Sequence, residues 1–277
     1  MLLILSSCAV LNRKAVSNNS GGDENKIVST SVAICGIMDR LDLDLIGVPK
    51  TEYTLPKRYS KVKKVGVPIT PDMEGIKLLN PDKVLIPRSL QSDLLPKFKA
   101  AKISATFVDL SGLDNMIKSI EQLGAKYNRE EKAAEIAYEY NKVIGEILLK
   151  KAGKTPPKVL ILMGFPSSYL VATDSSYMGS LVKTAGGENV FPDGDEFVEI
   201  NAEAMLKKQP DIILRAAHAL PDDVSKMFGE EFTKNDIWKH FSAVKSGKIY
   251  DVTGPDFGMS ANLEYKKSLD YLLDIFY

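Results

Sequence analysis

The sequence predicts a two-lobed α/β protein with largely parallel sheets. The chain has 277 residues, enough for two ordinary domains at roughly 150 residues each. From Lys26 onward, short β-branched or aliphatic runs alternate with helical stretches, the pattern of α/β layers. A long amphipathic helix lies between the two strand-bearing halves. Hydrophobic residues make up 44% and charged residues 26%, so the chain is a folded protein rather than a disordered one. Its 36 basic and 36 acidic side chains cancel. Without a clustered Lys/Arg surplus to neutralise phosphates, no nucleic-acid partner is expected. No apolar run approaches the roughly 20 residues that span a bilayer, so the body is not expected to be an integral membrane protein.

The first element, residues 1–25, opens Met-Leu-Leu-Ile-Leu-Ser-Ser-Cys. It resembles a bacterial lipoprotein signal in which Cys8 becomes the lipidated first residue of the mature protein. It lacks a basic segment, and only four apolar residues follow Met1, where roughly 7–15 are usual. That is expected if the given start lies downstream of the natural one; the alternative is a disordered lead-in to a buried or free cysteine. The polar stretch Ser17-Asn18-Asn19-Ser20-Gly21-Gly22 reads as a flexible tether.

Strands are expected at Ile27 to Thr30, Lys83 to Ile86 and Ala105 to Leu110 in a first lobe spanning 26–127. Ala133, Ile136, Ala137, Tyr140, Val143, Ile144, Ile147 and Leu148 recur at helical spacing, predicting a linking helix from Arg129 to Lys151 within 128–155. Gly153 and Pro156-Pro157 end it. The second lobe, 156–277, has expected strands at Val159 to Met163, Ile212 to Arg215 and Lys248 to Val252.

One phrase occurs twice. Glu74 precedes Pro81-Asp82 and a strand, Glu203 precedes Pro210-Asp211 and a strand, and the Glu-to-Pro spacing is seven residues both times. Each lobe is thus expected to hold a helix with an acid in its first turn, then a turn, then a strand. Helix-dipole and turn chemistry explain such a phrase without any function.

The rarest residues bound the chemistry. Two histidines, His218 and His240, and two cysteines, Cys8 and Cys35, exclude zinc sites made of four cysteines, of clustered pairs, or of three histidines. A Gly-x-Ser-x-Gly elbow, GxGxxG, a phosphate loop and His-Glu-x-x-His are all missing, so an enzyme is not expected. A Ser-His-Asp site would have to recruit His218 or His240.

As a whole, everything after the tether resembles the class III (cluster A) substrate-binding proteins of ABC importers. Within that class it is similar to the haem-receptor lipoproteins of iron-regulated surface determinant systems. The similarity is carried by Leu55 to Tyr59, Lys158 to Gly164 (KVLILMG), Ser168 to Asp174 (SYLVATD), Ala185 to Val190 (AGGENV), Asp211 to Arg215 followed by His218, and Asn235 to Phe241 (NDIWKHF). It implies two Rossmann-like lobes joined by one long helix, with the ligand cleft between them. It also implies haem as the transported ligand, an ABC permease and possible surface haem-donor proteins as partners, a monomer, and a membrane attachment made by the lipid anchor alone.

His218 is the candidate iron ligand. It follows the strand Ile212 to Arg215 by three residues and precedes Pro221, at the carboxyl end of a strand, where open α/β sheets bind ligands. Imidazole there can hold haem iron, although a solvent-exposed loop histidine would look the same, and the resemblance is what assigns the axial role. His240 is expected on the lobe surface. The resemblance places an axial methionine in the loop Gly66 to Pro71, where this chain has Ile69. Isoleucine cannot ligate iron, so a six-coordinate His/Met pair is in doubt. Met73 is the nearest soft donor, expected in the first turn of a helix capped by Thr70 and begun by Pro71; core packing is its other role. Met178, Met259 and Cys35 have weaker claims. The start of the first helix, Ser31-Val32-Ala33, suits a propionate carboxylate; Tyr53 and Arg58 are candidate haem contacts or structural residues. The resemblance makes Glu74 and Glu203 the permease-docking pair. The rival ligands are a ferric siderophore, which needs several Arg, Lys or aromatic contacts, and a corrinoid, which needs no ligating histidine.

Overall fold

The computed structural model describes residues 25–217 and 220–277. Cys8, the tether and His218 therefore lie outside the described residues. The first lobe runs β1 (Ile27–Ser29), α1 (Val32–Arg40), β2 (Gly47–Val48), β3 (Lys63–Lys64), β4 (Gly66–Val67), β5 (Thr70–Pro71), α2 (Met73–Leu79), β6 (Lys83–Pro87), α3 (Gln91–Ala101), β7 (Ala105–Val108) and α4 (Leu113–Lys126). Its main sheet has the order β3-β2-β1-β6-β7 and is parallel throughout. After the linking helix α5 (Glu130–Lys151) come β8 (Lys158–Phe165), β9 (Ser168–Ala172), α6 (Tyr177–Ala185), β10 (Glu188–Asn189), β11 (Phe197–Val198) and α7 (Ala202–Lys207). The chain finishes with β12 (Ile212–Ala217), α8 (Pro221–Lys234), α9 (Ser242–Lys245), β13 (Ile249–Val252) and α10 (Tyr265–Phe276). The second sheet has the order β11-β9-β8-β12-β13, with β8–β12–β13 parallel and β9 antiparallel to both neighbours.

The central strands are apolar at almost every position because helices cover both faces, and alternate residues divide between two layers. In β1 and β6, Ile27 and Leu85 face the inner core, while Val28, Val84 and Ile86 face an outer cluster with Ile76, Leu94 and Phe98. In β8 and β12, Val159, Ile161, Met163, Ile212 and Leu214 face inward; Leu160, Leu162 and Ile213 face outward onto Phe228, Trp238 and Phe241. The inner core is shared: α1, α4, α5, α6 and α10 all contribute to one apolar cluster that continues from one lobe into the other. Polar bonds join the same seam, from Leu113 N–H to Ser180 Oγ at 3.0 Å and from Ala261 N–H to Leu110 O at 2.8 Å. No helix of the described residues is long and apolar enough to cross a membrane.

The repeated Pro-Asp phrase has a structural role beyond a turn. Asp82 N–H donates to Lys26 O at 2.9 Å, and its Oδ2 accepts from Lys26 N–H at 2.8 Å. Asp211 does the same with Lys158, at 2.8 Å for both bonds. Each aspartate thus clips the start of one central strand to its parallel neighbour and fixes the register of β6 on β1 and of β12 on β8.

Candidate functional site

The carboxyl edges of the parallel strands form the candidate site, and the loops that leave them carry most of the named residues. β1 ends in Ser29-Thr30-Ser31, all buried. Ser31 N–H is taken by Ser29 Oγ at 3.2 Å, and the first backbone bond of α1 runs from Cys35 N–H to Ser31 O at 3.0 Å. The amides of Val32 and Ala33 therefore precede the helical ladder and stay open to an anion. Cys35 is enclosed in the core, where burial pushes its thiol up to about 12. Met178 is likewise a core residue.

Beyond β2 and β3, the segment expected to be a loop is a tight hairpin. Gly66 pairs with Pro71 and Val67 with Thr70, leaving Pro68-Ile69 as the turn. Gly66 has φ of +87°, and a Cβ there would stand 2.6 Å from Asp72 N, so the hairpin depends on glycine. This corrects the expected helix start. Thr70 and Pro71 belong to β5, and Asp72 is the cap, its Oδ1 accepting from Gly75 N–H at 2.9 Å. Met73 is consequently the first residue of α2, half-buried and packed on the outer apolar cluster. Ile69 is 59% exposed at the hairpin tip.

Arg58 sits in an ion cluster. Its guanidinium meets Asp42 and Asp44 at 3.0 Å each and Asp39 at 3.9 Å, so three carboxylates from the end of α1 and the loop after it already hold the charge. Tyr53 remains 45% exposed, its N–H bonded to Thr51 Oγ1 at 3.0 Å.

In the second lobe, β12 delivers the chain to residue 218 and α8 carries it back to the amino edge, where β13 begins. His240, exposed in the 3-10 turn Asp236–His240, is thus at the opposite end of the sheet from Leu220. Leu220 is 58% exposed in left-handed backbone, φ 50°. α8 is seated by aromatic packing: the Arg215 guanidinium, held by Asp251 through two 2.7 Å bonds, lies 5.5 Å from the Phe228 ring and 5.0 Å from Phe232.

Glu74 and Glu203 occupy equivalent positions. Each is the second residue of its helix, after Asp72 and Asn201 caps that both accept at 2.9 Å. Both are exposed, and neither has an ion-pair partner among the described residues.

Of a second cluster, made by loops of both lobes, the sequence signalled only Met259. Arg88 and Asp109 from the first lobe, joined at 2.6 Å, line a narrow space with Glu196, Met259 and Ser260 of the second. Burial pushes Asp109 up, but bonds from Ser111 and Arg88 outweigh it and hold the carboxyl below its usual range. Glu196 is pushed up, first by burial and then by the charge of Asp109, and its Oε2 has no hydrogen-bond partner among the described residues. These residues come from loops far apart in the chain, and no spacing connects them. A larger hollow of about 650 Å³ lies away from the carboxyl edges, at the amino end of β8 near Lys158, Lys183 and Lys208.

Known proteins share this architecture over almost the whole chain. The chain is 44% identical over 278 aligned residues to the high-affinity heme uptake system protein IsdE of Staphylococcus aureus strain Newman, covering 100% of this chain and 94% of that one. The crystal structure of S. aureus IsdE complexed with heme superposes with a TM-score of 0.89 at 45% identity, over 92% of this chain and 99% of that chain. An ABC transporter substrate-binding protein from Listeria monocytogenes EGD-e gives 0.87 at 47% identity with the same coverage. Residues 27–255 match the family model of the periplasmic binding proteins. With that match over most of its length and with full-length relatives at this identity, the chain belongs to the periplasmic binding protein family, a family of substrate carriers rather than enzymes.

Proposed function

We propose that the protein is an extracytoplasmic haem receptor that passes haem to an ABC importer. The observation that carries this reading is the apolar character of the facing loops. Tyr53, Val67, Ile69 and Leu220 are large apolar side chains left exposed, and all stand on loops at the carboxyl edges of the two sheets. Apolar side chains at the ligand-binding edge of the sheets suit a flat, mostly apolar porphyrin. The lobes, 26–127 and 156–277, joined through 128–155, work as the two walls of one cleft.

Within the cleft, His218 is the proposed axial ligand of the iron, on the segment between β12 and α8. The α1 amides at Val32 and Ala33, assisted by the Tyr53 hydroxyl, receive a propionate. Arg58 is left out, because its three carboxylates already occupy it. On the opposite iron face Ile69 supplies apolar contact, and Met73 ligates only if it leaves its packing on the outer cluster. Glu74 and Glu203, one on each lobe and without ion-pair partners among the described residues, dock on basic residues of the permease, where complementary charge sets register and association rate. Cys8 carries the lipid that holds the protein at the membrane; release of a Cys8→Ala protein from the membrane fraction tests the anchor. The receptor reading is tested by haemin titration of wild type and His218→Ala. The variant is expected to lose most affinity or to shift the Soret and visible bands, while His240→Ala behaves as wild type. Identical spectra and affinities for wild type and His218→Ala would remove the ligand assignment.

A further inference from the structure

We infer that Arg88, Asp109 and Glu196 form a lock between the two lobes that tightens when Glu196 takes up a proton; the inference goes beyond the receptor reading and needs no bound ligand. Arg88 follows β6 and Asp109 follows β7 in the first lobe, whereas Glu196 precedes β11 in the second. With Met259 and Ser260 they line one space, too narrow to admit a water molecule. A backbone bond crosses between the lobes at the same place: Ala261 N–H, next to Ser260, donates to Leu110 O, next to Asp109, at 2.8 Å. The Glu196 segment is held from behind, because Thr173 N–H donates to Glu196 O at 3.1 Å and Thr173 Oγ1 to Asp195 O at 2.7 Å.

Hydrogen bonding decides which carboxyl takes the proton. Asp109 Oδ2 accepts from Arg88 Nη1 at 2.6 Å, and its Oδ1 accepts from Ser111 N–H at 3.1 Å and from Ser111 Oγ at 2.7 Å. A carboxylate so supplied stays ionised. Glu196 is the reverse case, its Oε2 shut from solvent and without a donor among the described residues. Leaving such an oxygen charged is costly, and protonation removes the cost.

Charge acts in the same direction. Met259 and Ser260 bring none, so the groups facing Glu196 are Asp109, whose charge adds to burial in favouring the proton, and Arg88, which opposes it. With Glu196 ionised, two negative charges face one positive; with Glu196 protonated, the sum is zero. Opening the seam lets water reach Oε2 and draws it away from Asp109. The shut seam therefore binds the proton more tightly than the open one, and its extra stability is present at acidic pH and lost as pH rises through the shut-seam value.

Amide exchange of the haem-free protein tests the lock. Ala261 N–H and Leu113 N–H report the seam, since their acceptors, Leu110 O and Ser180 Oγ, belong to the other lobe. Thr30 N–H, bonded to Leu85 O at 3.1 Å inside the first lobe, is the reference. Protection factors are measured from about pH 5 to about pH 8.5, with and without low urea. The seam amides are expected to exchange through a local opening that urea does not promote, and to lose protection by about tenfold as pH rises, the ratio set by a tenfold difference in proton affinity between shut and open seams. Glu196→Gln should keep their protection constant across the range. Asp109→Asn should move the fall to lower pH and Arg88→Ala to higher pH, opposite shifts that lost packing alone does not produce. Wild-type protection that is flat with pH overturns the inference. So does a fall that survives in Glu196→Gln, or a urea response of the seam amides equal to that of Thr30. If Asp109→Asn does not fold, Arg88→Ala decides by itself, and a fall unmoved or moved to lower pH overturns the lock.

Discussion

Replacing Glu231 by alanine removes an acceptor on which three donors converge. Its Oε1 accepts from Trp238 Nε1 at 3.0 Å, from Asn235 Nδ2 at 3.0 Å and from Tyr169 O–H at 3.4 Å, so one carboxylate ties α8 to β9 and to the 3-10 turn below it. The three bonds are unequal. Asn235 and Tyr169 are only partly buried, and water can replace the carboxylate there. Trp238 is fully buried, stacked on Phe232 at 4.1 Å and on Phe241 at 4.6 Å, so water does not readily replace the carboxylate at its indole N–H. Leaving a buried donor unpaired costs about 1–3 kcal/mol, with a further ~1 kcal/mol for the charge-assisted bonds. A loss of about 3 kcal/mol is expected for Glu231→Ala, or a Tm lower by about 6–12 °C for a protein of this size. Glu231→Gln keeps an acceptor and should lose about 1 kcal/mol. Trp238 is the single tryptophan of the chain, so its fluorescence in urea titrations reads both the unfolding midpoint and the local environment, with a red shift expected in the folded alanine variant. Stability within 0.5 kcal/mol of wild type would refute the hub, and so would equal losses for alanine and glutamine.

Three further outcomes are expected. Glu196 has its folded pKa raised, so its contribution to stability is present at acidic pH and is lost as pH rises through the folded value; Glu196→Gln should therefore be about 1 kcal/mol more stable than wild type at pH 7.5, with the difference closing toward pH 4 in thermal melts, and a pH-independent difference contradicts this. The double variant Glu74→Ala with Glu203→Ala should bind haem as wild type but reduce haem uptake by cells, whereas normal uptake returns the pair to helix-dipole duty. Ile69→Met should add low-spin character to the ferric spectrum if the wild-type iron lacks a strong ligand on that side, and Met73→Ala should leave the spectrum unchanged because Met73 is engaged in the outer cluster.

Much of the fold was legible because the central strands are covered on both faces and therefore read as unbroken apolar runs. The strand at Lys83, the strand at Ile212 and the helix from Glu130 to Lys151 were found within a residue or two of their ends. The strand at Ala105 stops at Val108 rather than Leu110, because Asp109 leaves the ladder to accept from Arg88 and Ser111. Two-residue strands such as β2, β3 and β10 have no period to detect, and β9 was invisible because its alternation covers only five residues. In the candidate site, which segments follow strand ends was legible, as at Ser31 after β1. What was not legible were the partners: Arg58 is spoken for by Asp39, Asp42 and Asp44, and Met73 by a core that only folding assembles. Ion pairing and packing across the fold decide whether a side chain of suitable chemistry is free, and neither is written in local spacing.

The most direct measurement is an absorption spectrum of tag-free protein purified from haem-replete cells, followed by haemin titration of any colourless fraction. An intense Soret band that saturates at one haem per chain is predicted, since the proposed site uses the apolar loops and His218 on one ligand. A colourless protein that shows no Soret change with added haemin, and that binds a corrinoid or a ferric siderophore instead, would contradict it.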